Sequence, residues 1–305
     1  MTTELDWQLS LAPAIRMALQ GYDAEFGGRP ATVWRVPGTV TLLASGPRRL
    51  TVATPWSAVA AAGPSGDGVI ELVLMERPGE HERVTAAAAV AGHGPAWAGP
   101  ALALPDPAGR HPAGYAGTRL LVRSELPDGS GAGMRAAIET AIRLCLGHPA
   151  ARGPEAEHAE GRAALGDHQL SCDLAAAGLR LMLVDTRVRR DARQAPAEDS
   201  PVADAAAAAA AGDFELLGTL LTLAHEQHLG DGVQNAAVAA GLRAGALGGR
   251  AVADGPGRPA CLLVPVDRVT AVRAEISTEF DHGGARPPRF LTFTPAAGPD
   301  QPVPL

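Results

Sequence analysis

Gly129, Gly131 and Gly133 stand at alternate positions in "ELPDGSGAGMRAAIETAI", the stretch from Glu125 to Ile142. The run before them, "TRLLVRSEL", reads as a strand. After them Met134, Ile138, Ala141 or Ile142 and Cys145 recur at helical spacing until Gly147 and Pro149 stop the pattern. A strand, a glycine turn and a helix in that order aim backbone amides and the positive end of a helix at one point, an arrangement suited to an anion such as phosphate. Gly129, Ser130, Gly131, Ala132 and Gly133 are the candidate cradle, with Arg135 just inside the helix. A plain tight turn into a helix is the simpler reading of the same residues.

The rest of the chain supplies a setting for this turn. "ATVWRVPG" and "TVTLLA" read as two strands paired around Pro37-Gly38, "GVIELVLMER" alternates at period two, and "LRLMLVDTRV" is a buried strand. The charged, proline-bearing segment from 188 to 202 suggests a unit from 1 to 190 and a second from 191 to 305. In the second, Asp213 caps a helix with Phe214, Leu217, Leu221 and Ala224 on one face. Further helices at "GVQNAAVAAGLRAG" and through Val269, Val272, Ile276 and Phe280 alternate with the strands "ALGGRAV", "ACLLVPV" and "RFLTFTP". This order predicts an α+β protein with a split β-α-β, ferredoxin-like second unit.

Charge and composition exclude several functions. A formal charge of -7 argues against nucleic acid and anionic membranes as partners, because both demand a clustered positive field. The 26 basic residues are all Arg, which rules out a Walker-type lysine, a Schiff-base lysine and a lysine general base. Three widely spaced cysteines form neither a zinc knuckle nor a disulfide framework. The first residues do not read as a signal peptide and no window is apolar enough to span a membrane, so a cytoplasmic location is expected.

Four stretches, in order, resemble the galactokinase branch of the GHMP small-molecule kinases. "FGGRPATVWRVPGTVTLLA" is similar to the family segment in which Trp precedes Ala-Pro-Gly-Arg-Val-Asn-Leu-Ile-Gly-Glu-His. "SELPDGSGAGMRAAIETA" is similar to Asp-Leu-Pro-Ile-Gly-Ala-Gly-Leu-Ser-Ser-Ser. "GDHQLSCDLAAAGLRLMLVDTR" is similar to the Met-Asp-Gln segment that ends in Asp-Thr-Arg, and "AGALGGRAVADGPGRPACLLVP" to the third glycine-rich segment. The resemblance implies a two-domain fold, with an N-terminal ribosomal-S5-like β-α domain and a C-terminal ferredoxin-like domain. It also implies ATP and Mg²⁺ as cofactors and a small polar metabolite, a sugar in the family, as substrate.

Residue by residue, the resemblance exposes losses. The family's serine cluster falls on Gly133, Met134 and Arg135, and its transition-state Arg on Thr39. Its sugar-binding Glu-His falls on Ser45 and Gly46, with the following aspartate segment shortened to "PRRLTV". The family's catalytic aspartate beside Gln lands on Gln169 or His168, with Asp167 adjacent; Asp167 and His168 are the candidate bases. Glu139 matches the family's metal-binding glutamate. Arg135 admits two readings: it binds a phosphate, or it pairs with Asp128 across the turn. In the third segment Pro256 and Pro259 remove amide donors and Asp254 adds a negative charge. Outside these motifs, His225 and His228 stand at i, i+3 on a helix, and the basic run 187 to 191 reads as exposed loop charge.

The sequence therefore points to a catalytically impaired galactokinase-like protein that binds a nucleotide or metabolite or regulates a protein partner. An active kinase of altered substrate, with replaced catalytic residues, is the alternative.

Overall fold

The computed structural model describes residues 11–77, 79, 81–103, 117–147, 160–166, 168–189, 200–228, 230–252 and 257–300. Its first half is one seven-stranded sheet. The strands β1 (Thr32–Ser45), β2 (Arg48–Pro64), β3 (Val69–Leu74), β4 (His81–Thr85), β5 (Thr118–Ser124), β6 (Arg162–Leu165) and β7 (His168–Ser171) take the order β4-β3-β5-β2-β6-β7, with β1 on β2. β2 is long because its two halves serve different neighbours. Ala58–Pro64 pairs with β5, and Leu50–Val52 pairs with β6. Side chains alternate across the sheet: Val59 and Ala61 face helix α1 (Pro13–Phe26), while Ala58, Ala60 and Ala62 face the main core. Two short helices, α2 (Ala86–Val90) and α3 (Gly99–Leu102), follow β4.

The expected turn at Pro37-Gly38 is not a turn. Both flanking runs belong to the single strand β1, whose register against β2 shifts between Pro37 and Thr39. Pro37 brings no amide to a ladder, and a bulge accommodates it without ending the strand. The hairpin turn comes eight residues later in sequence, at Gly46, between the paired residues Ser45 and Arg48.

Helix α4 (Met134–Cys145) lies against this sheet through Ala137, Ile138, Ala141 and Ile142. Its apolar positions have the predicted spacing, and a helix of this length gains most of its stability from burying such a stripe.

The second sheet has the order β11-β8-β10-β9 and is antiparallel throughout. Its strands are β8 (Leu179–Asp185), β9 (Gly248–Ala251), β10 (Ala260–Pro265) and β11 (Arg289–Phe293). β8 precedes residue 190, so the expected change of unit there falls after a strand that already belongs to the second sheet. On β8, Leu181 and Leu183 enter the main core, and Met182 and Val184 enter a second core with helices α7 (Gly232–Arg243) and α8 (Val269–His282). Helices α5 (Val202–Ala211) and α6 (Phe214–Gln227) share the main core with the first sheet. Asp213 caps α6 by accepting the Leu216 amide, as its position before the apolar run predicted. The chain finally returns to the first sheet, where Arg35 and Asp300 exchange backbone bonds and the Ala296 amide donates to Ala53. Among the described residues no helix is long and apolar enough to cross a membrane.

Candidate functional site

The glycine turn connects β5 to α4. Gly129, Gly131 and Gly133 have φ of 68°, 80° and 69°, a region in which a side chain is strained, so their alternation sets the path of the turn. Ser130 points inward: its hydroxyl donates to the Pro127 carbonyl at 2.8 Å and accepts the Ala132 amide at 3.4 Å. Gly133 occupies the N-cap position of α4, and no side chain caps that end.

Other segments of the chain close over this turn. Gly38, at the bulge of β1, stands so near the Ala132 carbonyl and Leu126 that any side chain there would collide with them. Thr39 lies over Gly133, 2.9 to 3.2 Å from where a Cβ would stand. The Pro259 ring covers Gly131, and Gly257 packs directly onto the Gly129 carbonyl.

Arg189 covers Gly129 itself. Its Nη1 and Nη2 meet the two carboxylate oxygens of Asp185 at 2.8 and 3.1 Å, and Nη2 also donates to the Asp128 carbonyl at 2.7 Å. Asp185 is fully buried, and its hydrogen bonds, with burial opposing, raise the Arg189 pKa further above its already high ordinary value. Backbone bridging joins Arg189 to Gly257, and the Thr186 hydroxyl donates to the Arg258 carbonyl at 2.8 Å. The Arg189 guanidinium thus ties the glycine turn to the Asp-Thr-Arg segment, and the Arg189 backbone and the Thr186 hydroxyl tie that segment to the third glycine-rich segment.

Comparison with known proteins identifies the fold. No protein-family model matches the chain. A galactokinase of Streptomyces coelicolor is 25% identical over 371 aligned positions, covering 90% of this chain and 95% of that protein. The crystal structure of Lactococcus lactis galactokinase complexed with galactose superposes with a TM-score of 0.71 at 13% identity, over 94% of this chain and 99% of that one. Methanococcus jannaschii mevalonate kinase gives 0.57 at 13% identity, over 87% and 98% of the two chains. A homoserine kinase from Cytophaga hutchinsonii gives 0.54 at 15% identity, over 88% and 96%. The chain is a galactokinase homologue with the GHMP-kinase fold.

In this galactokinase homologue the positions singled out in the sequence are placed as follows. Arg135 is exposed, and among the described residues it forms no ion pair with Asp128, which is also exposed. Asp128 is met instead by Arg189, 61 residues further along the chain, which bonds its main-chain carbonyl rather than its carboxylate. Within the basic run 187 to 191, Arg189 is therefore not merely solvated charge, while residues 190 and 191 lie outside the described residues. Glu139 sits on α4 with Arg143 at 3.7 Å, an ordinary i, i+4 pair. Ser45 and Gly46 fall on the tight β1–β2 hairpin, Ser45 paired with Arg48 and Gly46 in the turn between them. His168 is exposed on β7, opposite Leu165, and none of its hydrogen bonds or ion pairs among the described residues reaches the glycine turn. Asp167 and residues 253–256 of the third segment, including Asp254 and Pro256, lie outside the described residues.

Residues the motifs did not single out hold the base of the third segment. Gln234, buried at the start of α7, donates through Nε2 to the carbonyls of Val252 and Pro259, at 3.1 and 2.7 Å. His225 accepts the Ala251 amide at Nδ1, 3.2 Å away, and no group of three or more His, Cys, Asp or Glu among the described residues is placed to hold a metal ion. Burial, and then the neighbouring Arg250, hold the His225 pKa below its ordinary value, against a smaller opposing effect from Glu226. A folded-state pKa below the unfolded one stabilises the fold above about 6.5, the ordinary histidine value, and that contribution is lost as the pH falls through the lower, folded value. His225→Asn keeps an acceptor near Nδ1 but does not titrate. It is expected to flatten the fall in urea-unfolding stability between neutral and mildly acidic pH; an unchanged slope would show that His225 is not responsible.

Cysteine chemistry is closed to this site. Burial pushes the Cys172 and Cys261 thiols up to about 12 and Cys145 higher still, so none supplies a thiolate at neutral pH.

Proposed function

We propose that the chain is a catalytically impaired member of the galactokinase group, a GHMP scaffold whose role is to bind or regulate rather than to phosphorylate a sugar. The observation that carries this reading is the closure of the glycine turn by Arg189, Gly257 and Pro259. The chemistry of the surrounding side chains agrees with it. Mg²⁺ requires hard oxygen ligands, whereas the positions matched to the family's serines carry Gly133, Met134 and Arg135, and the one turn hydroxyl, on Ser130, is spent on the turn's own backbone. The residues present do not fit the metal.

Loss of a charge-stabilising Arg at Thr39 costs on the order of 10² to 10³ in rate, and loss of a general base another 10² to 10⁴ or so. Phosphoryl transfer would fall close to background. The missing Glu-His positions remove directed partners for sugar hydroxyls, each worth about 1–3 kcal/mol. In this reading the protein works in the cytoplasm on a small anionic or polar metabolite or on a protein partner.

The test is ADP release by the purified chain with Mg·ATP and a panel of monosaccharides, polyols and mevalonate-like alcohols. No sugar-dependent release above the no-acceptor control is expected. Turnover at about 1 s⁻¹ or faster with any acceptor would overturn the proposal.

A further inference from the structure

Strand β9 is an edge of the second sheet, and helix α6 packs beside it where a further strand would otherwise pair. An edge strand presents backbone amides that the sheet itself does not satisfy. On β9 the amides of Gly249 and Ala251 point away from β10, and two side chains one turn apart on α6 accept them: Thr222 Oγ1 at 3.3 Å and His225 Nδ1 at 3.2 Å. Gly218 and Gly248 lie backbone against backbone, which lets the helix come this close. The two acceptors differ in one respect. The Thr222 hydroxyl, which donates to the Gly218 carbonyl, does not titrate. His225 does, and it is buried beside Arg250, which is buried too and donates to the carbonyls of Ala251 and Leu42.

We propose that His225 is an acid-released clasp between α6 and the edge strand β9. A proton added to Nδ1 turns the acceptor into a donor, so two N–H groups face each other and a second cation lies beside Arg250. Among the described residues, the charged groups on the elements packed against α6 are Arg250 on β9, Arg35 on β1, which is held by Asp300, and exposed Asp204 in the first turn of α5. Cys261, opposite Arg250 on β10, stays a neutral thiol. On α6 itself Glu226 is exposed beside His225, His228 stands one turn on, and Glu215 is in the first turn. Release stays local, because Gln234 keeps its hold on the Val252 and Pro259 carbonyls and β10 keeps its pairing with β9. The outer edge of the second sheet is thus covered at neutral pH and opens in acid while the fold persists. The clasp does not depend on whether the chain phosphorylates a sugar.

The experiment is hydrogen exchange of the full chain, resolved by residue with NMR and expressed as protection relative to unstructured peptide at the same pH. It is run at about pH 7.5 and 5.5 across sub-denaturing urea on wild type, His225→Asn and His81→Asn. Asn keeps an acceptor near Nδ1 without titrating, and His81, exposed and paired with Glu25 on the first sheet, is the remote control.

In wild type, protection at Gly249 and Ala251 is expected to depend less on urea than protection in β8. It should fall about three- to tenfold on acidification, tenfold being roughly the most that one group taking up its proton below 6.5 allows over this range. His81→Asn should keep that fall and His225→Asn should abolish it. Equal urea dependence at Ala251 and in β8 would overturn the clasp, because the edge would then open only when the whole fold does. Unchanged wild-type protection at the two pH values would also overturn it, and so would a fall in folded His225→Asn as large as in wild type. The two wild-type results decide the matter even if His225→Asn does not fold.

Discussion

Arg189→Met should lower the unfolding free energy by about 3 kcal/mol, seen as a drop in Tm of roughly 6–10 °C. The size follows from asymmetric burial: Asp185 is 0% exposed, whereas the Arg189 side chain is 36% exposed. Removing the guanidinium strands a buried carboxylate, while removing the carboxylate leaves a guanidinium that can still reach water. Asp185→Asn should therefore cost less, about 1–2 kcal/mol. That cost includes a weaker hold on the Arg187 amide, which donates to Asp185 Oδ1 at 2.9 Å. Among the described residues Arg187 alone, apart from glycine, has positive φ, at 60°, and the Asp185 carboxylate helps to keep it there. Urea unfolding of both single variants and the double variant measures the coupling between the two side chains. A cost below about 0.5 kcal/mol for Arg189→Met would mean that the pair contributes nothing beyond a surface ion pair.

Local periodicity made much of this architecture legible. The stripe on α4, the Asp213 cap of α6 and the strand β8 all appear where their spacing and end signals place them, because each is decided by residues within one or two turns of itself. The β1 bulge was not legible. Pro-Gly is a sound turn signal by itself, and only the unbroken ladder with β2 carries the chain straight through it. The short hairpin of β6 and β7 carries little apolar alternation, and its place is fixed by pairing to Leu50–Val52, more than 100 residues earlier in the sequence.

The site divides in the same way. That the turn would be rich in positive φ follows from its glycines. What fills its mouth does not, because Arg189, Gly257 and Pro259 arrive from 60 to 130 residues away. A local partner for Asp128 was the reasonable guess at Arg135. The decisive group was the arginine beyond the Asp-Thr-Arg segment, where the fully buried Asp185 needs a counter-charge more strongly than exposed Asp128 does. A charged side chain at the end of a buried apolar strand was the signal available in the sequence, since such a carboxylate must find a cation.

The same geometry predicts that Gly257→Ala will be among the most damaging single-methyl additions in the chain. The new Cβ would overlap the carbonyl of Gly129, with the Gly129 Cα close behind at 2.9 Å. Both sides of that contact are backbone. No rotamer change relieves it, so the third segment must lift from the turn or the turn must distort. Lifting it would also strain the bridge from Gly257 to Arg189 and the bond from the Thr186 hydroxyl to the Arg258 carbonyl. An expected cost of about 3 kcal/mol lies at the upper end for overpacking, because the obstacle is main chain rather than a flexible side chain. Gly232→Ala is the matched control: it stands at the start of α7 with nothing within 4 Å of a new Cβ, and it should be neutral or stabilising by up to about 1 kcal/mol. If the two variants unfold at the same urea concentration, Gly257 does not rest on Gly129 in solution, and the turn is open where its own chain is expected to cover it.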